Sequence, residues 1–318
     1  MQRSATVLWL LLAAPIAAGL CMMAGASGWG WPSAPAILEA RALRVAAALV
    51  VGAGLAASGA TLQAILRNPL ADPYVLGVSG GSALGAALAI LGGLAGRYLA
   101  ALPLAAFFGG LVTLALVYAI AGSNREPNLH SLLLSGVIVS ALASSLLLVL
   151  ITFASSEELR SVLWWMMGSL DAVSPLLLLV CFALTMGSLI GLRALACDLN
   201  ALTLGTDTAY HVGAPPRRTI LLGLALSTLA TASAVALAGL IGFAGLIVPH
   251  AVRRILGADH RALIPVSAIA GALFLALCDA LARSLVSPAE LPVGVITALT
   301  GGPFFLFLLS RNRGVDSP

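Results

Sequence analysis

Every basic side chain in this 318-residue sequence is arginine, sixteen of them against twelve acids and four histidines, and lysine is absent. That inventory limits the chemistry. A P-loop sets a lysine on the β and γ phosphates and Schiff-base catalysis needs an amine, so the chain houses neither. Any use of ATP belongs to a partner. Arg41 and Arg44 stand three residues apart and share one face at the start of an apolar run. The positive end of a helix dipole disfavours cations there, so the pair needs compensating anions, supplied by lipid headgroups or by a partner's carboxylates. Asp279 lies four residues before Arg283, the spacing of an ion pair along one helix face, and is the only acid well inside an apolar run. His211, His250 and His260 lack metal-ligand spacing. Cys21, Cys181, Cys197 and Cys278 form no C-x-x-C pair and read as small core residues. There is no H-E-x-x-H, no paired aspartates and no G-x-S-x-G. Neither catalysis nor a metal or other cofactor is expected.

The elements that must position these groups are membrane helices. Sixty per cent of residues are apolar and nine per cent charged, with a mean hydropathy of +1.07, so lipid is the solvent for most of the chain. A crossing helix takes about 20 apolar residues. Such runs are expected at Val7 to Ala24, Val45 to Ile65, Tyr74 to Leu94, Leu99 to Ala121, Leu132 to Phe153 and Ser174 to Ala196, then at Thr219 to Ala238, Leu240 to Val252, Leu263 to Leu281 and Val293 to Leu309. Residues 1–318 thus read as one all-α membrane domain of about ten spans, with a polar segment at about 197–218. The eighth span is expected to be a short or broken helix buried among others. With the N-terminus inside, eleven arginines face the cytoplasm, and Arg41, Arg44, Arg97, Arg160 and Arg283 face outside, as the positive-inside rule requires. Arginines at helix ends account for the net charge of +4, so membrane lipid, not nucleic acid, is the expected contact.

One stretch is unusually patterned. From Gly52 to Gly85 two glycine-rich apolar runs flank the turn Arg67-Asn68-Pro69-Leu70-Ala71-Asp72-Pro73. Each proline removes a donor and pushes its predecessor out of the α region, and the turn is expected to be a cytoplasmic hairpin joining two close-packed helices. Gly52 with Gly54, and Gly80, Gly81, Ser82 and Gly85, allow the close helix approach of a small-residue-packed bundle.

The Gly52 to Gly85 block, which carries Asn68, Pro69, Pro73 and Gly77, is followed by Gly242-Phe243-Ala244-Gly245-Leu246-Ile247-Val248-Pro249-His250 and by Ala289-Glu290-Leu291-Pro292-Val293-Gly294-Val295-Ile296-Thr297-Ala298. Together with Leu163 to Ser169, these blocks resemble the FecCD-type permeases of ABC importers for iron-siderophores, haem and cobalamin, over Leu38 to Leu309. The resemblance implies the type II permease architecture: ten helices per subunit, two permease copies around a pathway, two separate ATPase subunits below, and a periplasmic binding protein above. It is similar to the family in Leu202 to Pro216, where Leu204, Gly205, Asp207, Ala209 and Gly213 match the segment that docks on the ATPase, with the usual acid shifted to Asp207. Arg41, Arg44 and Arg283 match positions that receive the binding protein's glutamates, although Arg283 is equally suited to pairing with Asp279. Leu129 and His130 match the cytoplasmic gate but are larger than the family's small hydroxylated residues.

An ion-coupled secondary transporter is the alternative, and it needs an ionisable group near the bilayer midplane. The helix direction instead sets Asp279 near the outer end. The reading is therefore an inner-membrane permease, both termini cytoplasmic, moving an iron chelate such as a siderophore or haem, or cobalamin.

Overall fold

The structure, a computed structural model, describes residues 13, 15–25, 28–32, 34–121, 129–171 and 173–312, with backbone alone at 129–130 and 307–312. Among the described residues there is no strand. After a helical stretch at 15–23 come α1 (Pro35–Ile65), α2 (Val78–Leu91), α3 (Leu94–Arg97), α4 (Ala101–Ala121), α5 (Leu129–Thr152), α6 (Ser156–Met166) and α7 (Pro175–Ala194). They are followed by α8 (Ala196–Thr203), α9 (Thr206–His211), α10 (Pro216–Ala238), α11 (Ala244–Leu256), α12 (His260–Ser284) and α13 (Val293–Asn312). Among the described residues six helices, α1, α4, α5, α7, α10 and α12, are long and apolar enough to cross a membrane, while α2 and α13 hold shorter apolar stretches. The chain is an all-α membrane bundle. The span expected at Val7 to Ala24 falls largely outside the described residues.

Packing ranks the helices. In its most apolar window α1 is 83% buried, against 22% for α7 and 28% for α4 and α5. So α1 is the central post, packed against α12, α10, α11 and α7, whereas α4, α5 and α7 turn long apolar faces outward. Close approach at the post is backbone on backbone. A Cβ on Gly52 would lie 2.1 Å from the Gly271 carbonyl oxygen of α12, and one on Gly59 would lie 1.7 Å from that of Gly245 in α11. No larger side chain fits at either crossing, which is the small-residue packing of membrane helices.

Three expectations change. α1 begins at Pro35, not Val45, because its N-terminal turns carry Arg41 and Arg44 with their partners inside the protein. A proline in the first turn costs the helix no hydrogen bond. The eighth span is short and broken as expected, but its bounds move: the 13-residue α11 starts at Ala244, not Leu240, and is entered through a non-helical stretch at 239–243. Such backbone survives at membrane depth only when its polar groups find partners. The Tyr74 hydroxyl accepts the Ile241 N–H at 3.1 Å, and the Ser169 N–H donates to the Ala238 carbonyl at 2.9 Å.

The turn after α1 is also not the expected hairpin between close-packed neighbours. α2 packs against α4 and α5, not α1, because each glycine face is matched to another helix: a Cβ on Gly81 would meet the Gly109 carbonyl, and one on Gly85 that of Ala105. Only residues 67–70 of the turn are exposed. Asn68 Oδ1 accepts the Leu70 N–H and Asp72 Oδ1 the Tyr74 N–H, two side-chain turns that lead the chain inward. Beyond them Pro73 rests on Gly245, and Leu76 is buried beside Gly136.

Candidate functional site

The ionisable groups gather at the two ends of the α1–α12 pair. At the first end, Arg44 of α1 donates from Nε to Asp279 Oδ1 of α12 at 2.8 Å and from Nη1 to Glu290 Oε2 at 2.6 Å and to Asp171. Its side chain is 13% exposed. Arg283, 2% exposed, pairs with Asp279 Oδ2 at 3.0 Å and donates to the carbonyls of Ala24 at 2.6 Å and Cys21 at 3.0 Å. Arg41 Nη1 donates to the carbonyls of Met22, Met23 and Gly30. The anions demanded by Arg44 therefore come from the chain itself. Of the two roles open to Arg283, pairing with Asp279 is the one the structure shows, since so buried a group presents no surface.

Two parts of this cluster escaped sequence reasoning. Asp171 follows the turn after α6 and accepts from the Ser169 hydroxyl at 2.6 Å, and Glu290 had meaning only as a motif residue. Distances of 127 and 246 residues along the chain separate them from Arg44, so no local spacing signals either contact. Arg44 thus ties the loops before α7 and α13 to α12. Pro292 is buried two residues beyond Glu290.

At the opposite end, α8 and α9 fill the polar segment. Ala196, Leu199 and Leu202 of α8 are buried, as is Ala209 of α9, while Leu204, Tyr210 and Val212 are 74%, 72% and 67% exposed. Asp207 is exposed on the first turn of α9, and Gly205 precedes that turn. Gly213 ends α9 at φ +83°, a conformation that favours glycine, and lets the Ala214 N–H return to the Ala209 carbonyl at 2.9 Å. The Ala209-to-Gly213 spacing is therefore the length of one helix-ending turn. The result is a short module whose inner face is packed and whose outer edge presents three large apolar side chains.

Polar fastenings hold this module. Asn200 Nδ2 donates to Asp259 Oδ1 at 2.8 Å, and Asn200 Oδ1 accepts the His260 N–H at 2.9 Å and lies 2.7 Å from His260 Nδ1. Asp259 caps α12 by accepting the Arg261 N–H at 3.0 Å, and the Arg261 guanidinium and Asn200 amide hold its carboxyl well below the usual carboxylate range. Arg67, left-handed at φ 48°, donates from Nε to the Leu202 carbonyl at 3.1 Å.

The remaining predicted residues scatter. Leu129 and His130 open α5, and their side chains lie outside the described residues. Pro249 is buried within α11, and His250 stacks tilted on Phe305 of α13 at 6.1 Å. Three of the four cysteines are buried, but Cys197 is exposed on α8, where the sequence reading expected core. The sequence placed it at the start of a polar segment, which is where the discrepancy arises.

Comparison with known proteins adds a common frame. A profile of the FecCD transport family matches residues 6–311. The chain is 44% identical to the cobalamin import system permease protein BtuC of Halobacterium salinarum over 280 residues, 86% of this chain and 72% of that protein. It is 42% identical to the hemin transport system permease protein HmuU of Yersinia pestis over 279 residues, 87% of this chain and 83% of the relative. A solved structure described as an inward-facing ABC transporter of the metal-chelate type superposes with a TM-score of 0.88 at 35% identity, covering 97% of this chain and 99% of that one.

Proposed function

This chain belongs to the FecCD transport family and is a permease subunit of an ABC importer, and from that premise we propose that two copies carry a bulky chelate across the bacterial inner membrane. The cargo is an iron chelate, as siderophore or haem, or cobalamin, in keeping with the relatives' names. Two separate ATPase subunits dock on the cytoplasmic α8–α9 module through Leu204, Gly205, Asp207, Ala209 and Gly213. A periplasmic binding protein delivers cargo at the Arg44 end, and both termini lie in the cytoplasm. The permease itself performs no catalysis.

The observation that carries the reading is the α8–α9 module: buried on one side, polar-pinned to two core helices, and presenting the exposed apolar side chains Leu204, Tyr210 and Val212 among polar ones on the side facing away from the bundle. An apolar edge of that kind on an otherwise polar segment is a contact waiting for a protein partner. At the other end, Arg41 and Arg44 are proposed to receive the binding protein's carboxylates, with Arg44 exchanging Asp171 or Glu290 for them. Secondary transport finds no support in Asp279, whose carboxylate is taken up by two guanidinium groups at the Arg44 end.

Reconstitution with the ATPase and the binding protein tests this reading. ATP-dependent uptake of haemin, ferric siderophore or cyanocobalamin is expected, and the binding protein's relative affinity for the three names the cargo. Uptake driven by a pH gradient without the ATPase would overturn it.

A further inference from the structure

The two fastenings of the α8–α9 module converge on one rigid body. Arg67 ends the α1 post and grips the Leu202 carbonyl, while Asn200 grips the N-terminus of α12 at Asp259 and His260. α1 and α12 are themselves locked at Gly52 and Gly271, where backbone meets backbone without an intervening side chain. At their far ends the same two helices are joined by the Arg44–Asp279 ion pair at 2.8 Å. A displacement of the module bears on both helices at once, because its two pins lie on elements that meet backbone to backbone at Gly52 and Gly271.

We propose that Asn200 and Arg67 are positioning residues that pass the motion of a docked ATPase into the α1–α12 pair, and through it to the loops held by Arg44. Asn200 suits this role by its chemistry. Its amide presents a donor to the carboxylate of Asp259 and an acceptor to two nitrogens of His260, so one small side chain fixes both the distance and the orientation of α8 relative to α12. The partner at Asp259 is ionised and held by Arg261, which makes the bond from Asn200 a charge-assisted one. Apolar contact alone would let α8 roll, since Ala196, Leu199 and Leu202 offer no directional bond. Arg67 supplies the second point, and two points define an axis.

This inference rests on the importer reading, and its test separates the two. In the permease–ATPase complex in nanodiscs, with exposed Cys197 replaced by serine, a spin label on Leu285→Cys in each copy reports the distance across the dimer at the Arg44 end. ATP should change that distance in the parent protein. Absence of any ATP response there refutes the importer reading itself. Asn200→Ala is expected to cut the ATP-induced change at least twofold in complexes that still contain the ATPase. Asn200→Asp, which sets a carboxylate against Asp259, serves in the same way if the alanine variant does not fold. Asn200→Gln, which keeps the amide donor and acceptor on a side chain one methylene longer, is expected to retain more of the change than Asn200→Ala. A full-sized ATP response in Asn200→Ala, or one in Asn200→Gln no larger than in Asn200→Ala, overturns the proposal.

Discussion

Asp279 meets two guanidinium groups where water does not reach, for it and Arg283 are both almost wholly buried. A buried charge is tolerable only with its partner, and removing one member of a buried pair costs about 3–5 kcal/mol. Asp279→Ala leaves Arg283 and Arg44 facing each other with less compensation. We expect a large drop in the thermal unfolding midpoint in detergent, well beyond that of Asp171→Ala, whose carboxylate is partly in solvent. Asp72 makes a pH-dependent case. Burial pushes its carboxyl up from an ordinary 3.8 to about 6, only partly countered by the Tyr74 N–H. A raised carboxyl favours the protonated folded state, so this group's contribution to stability is full below about pH 4 and is lost as pH rises through 6. The shift is worth at most about 3 kcal/mol, and the partial exposure of Asp72 reduces that to about 1 kcal/mol. Asp72→Asn keeps the turn acceptor and sheds the charge. It should raise the unfolding midpoint at pH 8 and leave it unchanged at pH 4.

At the scale of elements, the fit between helices is decided by where glycine has a neighbour. Gly59 of α1 faces the Gly245 carbonyl, so even a methyl group must separate α1 from α11. Gly187 of α7 has nothing within 4 Å of an added Cβ. Gly59→Ala is therefore expected to lose about 1–3 kcal/mol through overpacking, and Gly187→Ala to be neutral or to gain several tenths of a kcal/mol from helix propensity. Thermal unfolding of the two variants side by side checks this. Their sequence neighbourhoods are alike, both glycines in apolar helical runs, and only the packing partner tells them apart. The same holds for the turn at 66–77: its prolines and side-chain turns were legible, but the helix that α2 would choose was not.

For the whole molecule, the α1–α12 pair runs from the α8–α9 module at one end to the Arg44 cluster at the other, and α12 alone is a 25-residue helix. That length is about 37 Å at 1.5 Å per residue, enough to reach from one face of a membrane to the other. The apolar edge of Leu204, Tyr210 and Val212 is the proposed handle. Tyr210→Asp should weaken ATPase binding at least tenfold, or about 1.4 kcal/mol, with no change in the unfolding midpoint of the isolated permease, because the ring is 72% exposed. Co-purification against a titration of ATPase measures it.

Composition and the spacing of apolar runs were sufficient to determine that this chain is a lipid-embedded helical bundle, for hydropathy and helix length are local quantities that a reader of one sequence can sum. The motif blocks likewise carried the family, and the absence of lysine excluded a lysine-bearing P-loop from this chain. Tertiary structure alone decided how charge is settled. Arg44 draws its anions from residues up to 246 positions away, Arg283 turns inward, and Asn200 finds Asp259 across two helices. Those choices depend on which glycine faces nest and on burial, which removes water as the competing partner, and neither quantity is written in any stretch of chain read by itself.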